Sequence, residues 1–532
     1  MEVTRLLASL PKEVTRHLPK VVGPLGVGGI PPIRTLVSRI LINKYGYATT
    51  IRPRPLSLAG DYTSWRSLTD RSFSGRHLPP ATHEAQAALP PEADVVALYR
   101  RERMVTSTDT SVMFMFFAQW FTDSFLRTSL SDYRKNDSNH EIDLCQIYGV
   151  NFDSTNLLRS KQGGRLKSQV IDGEEYPAFL FEPRDDGRPL VFKAEFEGLH
   201  DPEFITGVIL RSAPEAQKDT FFATGLAHGN STIGNTVMNT VFLREHNRLA
   251  GILAAEHPGW DDDRVFETAR NVMIVLLLKL VVEEYIAHIG PFDFPIETVP
   301  FLADEEHWNR TNWCAIEFNL LYRWHPLVPD TIGSGPDELA ASDFRNNNPL
   351  VIAKGIEALM ARCSDEPAGK IGLLNTPAFL VDQLNPDWPS VEEVTVGLMR
   401  KARLQSFNAY REAYGLEPLT SFTQLTTNPE VRRRLEELYG HIDKLEWYVG
   451  IFAEDYPEYM MMGELLTTMV ANDAFTQALS NPLLGRHVFN EATFSETGFK
   501  LIEGTHSLQQ IVARNSNLPE AVRVSFACGA QS

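Results

Sequence analysis

In the stretch NLLYRWHPLVPD, residues 319–330, Tyr322 and His325 stand three positions apart and two prolines follow. On a helix such positions share a face, with Cβ atoms ~5–6 Å from one another. Pro326 cannot continue the hydrogen-bond ladder and restricts the residue before it, so the helix is predicted to end at His325, where a side chain can reach into a cavity. A neutral imidazole in that place suits an axial iron ligand. The same two residue types also suit a packed core, and the pair alone does not decide between the two.

Elements elsewhere must position the pair. The segments VVALYRRERM, SVMFMFFAQWFTDSFLRTSL, GNTVMNTVFLREHNRLAGILAAEH and DRVFETARNVMIVLLLKLVVEEYIAHI each repeat apolar residues on one helical face. Further helices are predicted over 313–324, 349–362, 391–414, 429–439 and 459–479. SQVIDGEEYPAFL and RPLVFKAEF are the convincing strand-like pieces, so the fold class is mainly α with very little β. Residues 52–91, rich in Pro, Ser and Gly, read as an ordered wrap or a linker. No internal repeat or low-complexity segment is found. Two units are expected: residues 1–50, short amphipathic helices, and residues 51–532, one large helical domain.

Composition narrows the function class. A chain of 532 residues can bury a large core and a bulky cofactor. With 43% hydrophobic and 22% charged residues it is an ordinary globular chain rather than a disordered one. A net charge of -18 argues against a general nucleic-acid surface, which needs clustered Lys and Arg. Cys145, Cys314, Cys363 and Cys528 lack the spacing of a zinc site or disulfide framework and are expected to be free thiols. The N-terminal residues do not form a secretory signal, and VMIVLLLKLVV, interrupted by Lys279, is too short to span a membrane, so a cytoplasmic protein is expected. Lys12, Arg16, Lys20, Arg34, Arg39 and Lys44 make the first fifty residues basic. They suit either peripheral contact with anionic headgroups or helices packed on the body.

FFAQWFTDSFLRTS, IDLCQIYG, RLKSQVIDGEEYP, TVFLREHNRLAGILAAEHPGW, VVEEYIAHI, IEFNLLYRWHPLVPD, RLQSFNAYREAYGLEPLTSF, LEELYGHIDKLEWYVG and ATFSETGF occur in this order. Together they closely resemble the animal-type haem peroxidases of the cyclooxygenase branch and related fatty-acid dioxygenases, from about residue 33 to near residue 499. The resemblance implies a large helical haem-peroxidase domain and one non-covalent haem b per chain. It implies that His325 is the proximal iron ligand and that Tyr322 becomes a radical that takes hydrogen from a fatty acid. Tyr448 matches a tyrosine near the proximal histidine and would orient the imidazole or act as an alternative radical site. REHNR, residues 244–248, is a family marker whose charged groups are expected to pair within the helical core.

The distal side departs from the family. The family places Gln and His four apart over the iron; Gln119 is present, but the histidine position is Asp123. A carboxylate can also accept and return a proton, and burial would raise its pKa toward a useful value. His228, where the family has an apolar residue roofing the pocket, could supply the imidazole or be a loop histidine. In the substrate channel the carboxylate-binding arginine is matched by Lys44, its companion tyrosine by Phe292, and the acetylatable serine by Ala474. Lysine keeps the charge and loses the bidentate fork. These changes point to one oxygen addition rather than endoperoxide formation. Ser124 and Thr122 replace the residues that bind calcium and esterify haem in the mammalian peroxidase branch, so no calcium is expected.

The function expected on this resemblance is a haem-dependent dioxygenase acting on an unsaturated fatty acid and O2, with peroxide as activator. The alternatives are a peroxidase of small organic donors and a haem-binding protein without turnover. A homodimer is left open, because family dimers use a cysteine-rich module that is missing here.

Overall fold

The computed structural model describes residues 29–49, 62–129, 131–184, 189–211, 213–290, 294–385, 387–518 and 522–529. It is mainly α, with 51% helix and 8% strand. The strands form three two-stranded antiparallel sheets: β1 (Thr106–Ser111) with β6 (Pro367–Gly369), β2 (Ser168–Ile171) with β3 (Glu174–Pro177), and β4 (Thr331–Ile332) with β5 (Leu339–Ala340). The helices that build the site are α1 (Pro31–Gly46), α2 (Val112–Thr122), α3 (Ile233–Glu256), α4 (Asp262–Leu280), α5 (Ile316–Leu321), α6 (Val391–Lys401) and α7 (Glu464–Leu479).

Helix α3 is the central element, packing on α2, α4 and β3. Its apolar residues, among them Val237, Met238, Val241 and Leu249, are buried, and so are its polar ones. Arg244 meets Glu174 at 2.9 Å and Glu357 at 3.4 Å. Glu245 meets Arg248 at 2.8 Å and Arg514 at 2.9 Å, and His246 is held between the Tyr148 hydroxyl at 2.8 Å and the Gly164 carbonyl at 2.9 Å. Each charged or imidazole group of 244–246 is thus committed to packing, as expected for REHNR. Helix α4 contains the apolar run 272–282 up to Leu280, and Lys279 inside it donates to the Ile502 carbonyl at 2.6 Å. No described helix is long and apolar enough to cross a membrane.

Helix α1 starts at a proline and packs on α7, with Leu41 and Ile42 fully buried. The Trp308 indole N–H donates to Asn43 at 3.0 Å and the Asn472 amide donates to the Tyr45 carbonyl at 2.7 Å. This part of the basic N-terminal region is therefore a helix packed on the body; Lys12, Arg16 and Lys20 lie outside the described residues.

Several predicted elements differ. VVALYRRERM is helical only through Glu92–Val96; beyond it Arg100 pairs with Asp382 at 2.8 Å and Arg101 with Asp330 at 2.6 Å, tertiary bonds that pull the chain out of a helix. The helix expected over 349–362 is broken at Gly355, whose φ of 85° no helix allows. The helix expected over 391–414 is likewise two, Val391–Lys401 and Phe407–Ala413. RPLVFKAEF makes one isolated bridge, Phe181 to Phe192, and a short 3-10 turn. The helix before YRWH ends at Leu321, not at His325. The four cysteines are free, with Cys145, Cys314 and Cys363 buried.

Candidate functional site

Tyr322 caps the C-terminus of α5 and His325 opens a single 3-10 turn that contains Pro326. The two residues are therefore joined by a tight turn rather than by one helix face. The Tyr322 ring packs on Phe318, 5.4 Å between centroids, and on Trp324 at 4.9 Å. Its hydroxyl oxygen is buried and has no hydrogen-bond partner among the described residues. Burial, and secondarily the charge of Asp473, push the phenol well above its ordinary pKa, so it holds its proton at physiological pH.

The His325 imidazole is fixed through Nδ1, 2.7 Å from Glu392 Oε1. A ring that donates from Nδ1 keeps the Nε2 lone pair free for a metal. Glu392 comes from the first turn of α6, which Ser390 and Glu393 start with a capping box. Tyr448, expected to orient this imidazole or to act as an alternative radical site, donates its hydroxyl to the Arg323 carbonyl at 3.1 Å rather than to the imidazole. It steadies the turn two residues before His325, while Glu392 holds the ring.

The distal residues meet where the C-terminus of α2 approaches the N-terminus of α3. Thr232 caps α3, accepting from the Asn235 N–H at 3.2 Å, and its hydroxyl reaches Gln119 Oε1 at 3.3 Å. The Asn235 amide donates to Asp123 Oδ2 at 3.2 Å, and His228 Nε2 lies 3.8 Å from the same oxygen. Gln119, Asp123 and His228 are thus brought into one cluster, with Thr232 and Asn235 tying it together. Burial raises the Asp123 carboxyl to about 6, opposed by the Asn235 hydrogen bond. Burial, with the Arg127 charge adding to it, lowers His228 to about 3, so its imidazole is neutral.

The two sides converge. Asp123 and Arg323, two residues before His325, sense each other's charge. Asp123 and His228 keep 26% and 22% of their side-chain surface accessible, and His325 15%. Arg323, half-buried, donates to the Asn319 side chain at 3.1 Å and to the Thr395 hydroxyl at 3.4 Å. An imidazole held through Nδ1, a group of amide, carboxyl and imidazole side chains, and a nearby guanidinium are the residue types that fit a haem with its carboxylates.

The expected substrate residues are more scattered. Lys44 lies in the last turn of α1 with its ammonium 5.4 Å from the centroid of the Tyr45 ring, and Tyr45 packs on Phe475 at 6.1 Å. Ala474, beside Phe475 on α7, is buried. Phe292 lies outside the described residues. Two residues unremarked in the sequence are electrostatically coupled to Tyr322: Tyr285, whose buried hydroxyl has no partner among the described residues and whose phenol is pushed well above its ordinary pKa by burial first and by Tyr322 second, and Asp473, whose charge raises the Tyr322 phenol. Glu392, Thr232 and Asn235 were equally unsignalled; the one local hint was the S/T-x-x-N pattern at the start of α3, which reads as a helix cap rather than as a site residue.

Residues 131–526 match the family model described as animal haem peroxidase. Prostaglandin G/H synthase 1 of Rattus norvegicus is 32% identical over 499 residues, covering 91% of this chain and 77% of that protein. Prostaglandin G/H synthase 2 of Mus musculus is 30% identical over 506 residues, covering 92% and 78%. Among solved structures, peroxidase A of Dictyostelium discoideum superposes with a TM-score of 0.69 at 19% identity, covering 90% of this chain and all of that one. The fatty acid alpha-dioxygenase of Arabidopsis thaliana superposes with 0.69 at 15% identity, covering 100% and 98%. At such identities these two show a shared fold.

Proposed function

We propose that this chain, which belongs to the animal haem peroxidase family and is an oxidoreductase, is a haem-dependent dioxygenase that adds O2 to an unsaturated fatty acid. The observation that carries this reading is Tyr322: a neutral phenol whose hydroxyl oxygen is buried with no hydrogen-bond partner among the described residues, three residues from an imidazole held through Nδ1. A haem b held non-covalently by His325 supplies, when bound and activated by peroxide, a one-electron oxidant beside that phenol.

Tyr322 loses a hydrogen atom from Oη, and the resulting phenoxyl takes one from a bis-allylic carbon, re-forming its O–H bond. O2 adds to the carbon radical, and the lipid peroxyl takes the hydrogen back from Tyr322 to give the hydroperoxide and the next phenoxyl. The aromatic packing of Phe318 and Trp324 keeps water from the radical. On the distal side Asp123 accepts and returns the peroxide proton, with Asn235 orienting its carboxyl and neutral His228 beside it. Gln119, held by Thr232, binds the peroxide oxygen. Lys44 pairs with the fatty-acid carboxylate, and Ala474 borders the channel in place of the serine of prostaglandin-forming relatives; Phe292, which replaces their tyrosine in the sequence, lies outside the described residues. The prostaglandin G/H synthases, 30–32% identical over most of the chain, support haem-dependent fatty-acid oxygenation.

Incubating the haem-loaded chain with a panel of unsaturated fatty acids and identifying products by mass spectrometry tests this reading. Monohydroperoxides are expected; an absence of oxygenated lipid across the panel would contradict it. Asp123, with a carboxyl near 6, also favours a second reading, peroxide-dependent oxidation of small phenols at the haem edge. That reading expects turnover of a phenol and no lipid product.

A further inference from the structure

The best-placed hydrogen bond in the site belongs to a residue outside the family motif. Glu392 is fully buried, its Oε1 lies 2.7 Å from His325 Nδ1, and it also accepts from the Thr376 hydroxyl at 3.4 Å. Its Oε2 is buried with no partner among the described residues. Among the described residues no Lys or Arg lies within 4 Å of it, although the Arg323 guanidinium senses its charge. Burying a carboxylate without a direct countercharge is costly. A glutamine of the same shape would hold the ring N–H equally well, so mere positioning does not account for the acid.

Two features of the geometry fit a carboxylate at this place. Glu392 is the second residue of the eleven-residue helix α6, where the helix N-terminus stabilises an anion. Its acceptor oxygen takes a hydrogen bond of charge-assisted length from the imidazole.

We infer that Glu392 is a positioning residue with an electronic role: an anionic acceptor that locks the His325 ring and increases electron donation from Nε2 to the bound iron. Resting on the reading of His325 as iron ligand, this moves part of the work of peroxide cleavage to the proximal side, where it offsets the loss of a distal histidine at Asp123. The proton stays on Nδ1, and no group is consumed. Metal-bound histidines gain basicity from such partners, and losing one changes metal affinity or activity about 10–100-fold.

The test uses the haem-loaded full chain and two readouts other than turnover: the Fe–His stretching frequency of the ferrous form by resonance Raman, and the ferric/ferrous midpoint potential. In the unsubstituted protein the frequency should lie above that of a ferrous haem bearing a weakly hydrogen-bonded imidazole; a value at that reference overturns the inference, whatever the variants do. Glu392→Gln should lower the frequency and shift the ferric/ferrous ratio at fixed applied potential about tenfold toward ferrous, ~59 mV for one electron. Glu392→Asp should stay nearer the unsubstituted values. A Glu392→Gln protein with an intact Fe–His band and unchanged frequency and potential also overturns it. Loss of any Fe–His band in the unsubstituted protein, with a haem spectrum indifferent to His325→Ala, would instead sink the proximal assignment itself.

Discussion

At the scale of single residues, Asp123 is the informative departure. Its carboxyl rises from the ordinary 3.8 to about 6 because it is buried. Above pH 6 the folded protein carries a buried charge that the unfolded chain carries in water; below 3.8 neither state is charged. The penalty is therefore present at pH 7–8 and vanishes as pH falls through 6 toward 3.8. Asp123→Asn, which can still accept from Asn235, should raise thermal stability at pH 8 by up to ~3 kcal/mol. The gain should be absent at pH 3.5, and equal gains at both pH values in thermal unfolding would refute the burial account. Asp123→His should raise peroxide-dependent turnover of a phenol by at least about tenfold, within the range of positioned acid–base groups. No response would place the distal proton group elsewhere, with His228 the next candidate. The sequence identified Asp123, Gln119 and His228 as candidates, and the structure brings them together. Glu392 was not legible, because it lies 67 positions from His325 and only the tertiary packing of α6 on α5 joins them.

At the scale of elements, the distal cluster depends on how closely α2 and α3 approach. Gly234 sits in the first turn of α3 directly against Phe116 of α2, and a Cβ there would fall within the Phe116 side chain. Gly234→Ala should push the helices apart, costing ~1–3 kcal/mol of stability as overpacking does. It should also slow the reaction of the haem-loaded chain with peroxide. Unchanged thermal stability would show that the contact yields easily. The helix Pro429–Tyr439 was legible because its apolar period, with Val431, Leu435 and Tyr439 buried, agrees with its packing, whereas α3 is buried on its polar side as well. The end of α5 was misplaced because Pro326 marks where a helix must stop, not where it stops. Trp324, at φ -83° and ψ 53°, has already left the helix. That turn carries both Tyr322 and His325, so the least predictable local structure is also the one the chemistry uses.

At the scale of the whole molecule, the mainly helical class followed from periodicity, and the haem-peroxidase fold from many ordered motifs rather than from any one residue. The substrate side is less determined, because Lys44 and Ala474 belong to different helices and Phe292 lies outside the described residues. The net charge of -18 makes the basic residues Lys12, Arg16 and Lys20 stand out. Deleting residues 1–28 should abolish binding to anionic vesicles while leaving oxygenation of dispersed fatty acid in place; unchanged vesicle binding in a sedimentation assay would assign those residues another role. The central claim is that one phenol couples a haem to a lipid. Oxygen uptake with linoleate, followed in the haem-loaded chain and in Tyr322→Phe with an equal Soret absorbance, tests it most directly. The account predicts steady uptake in the first and none above background in the second; uptake that survives the substitution would contradict it.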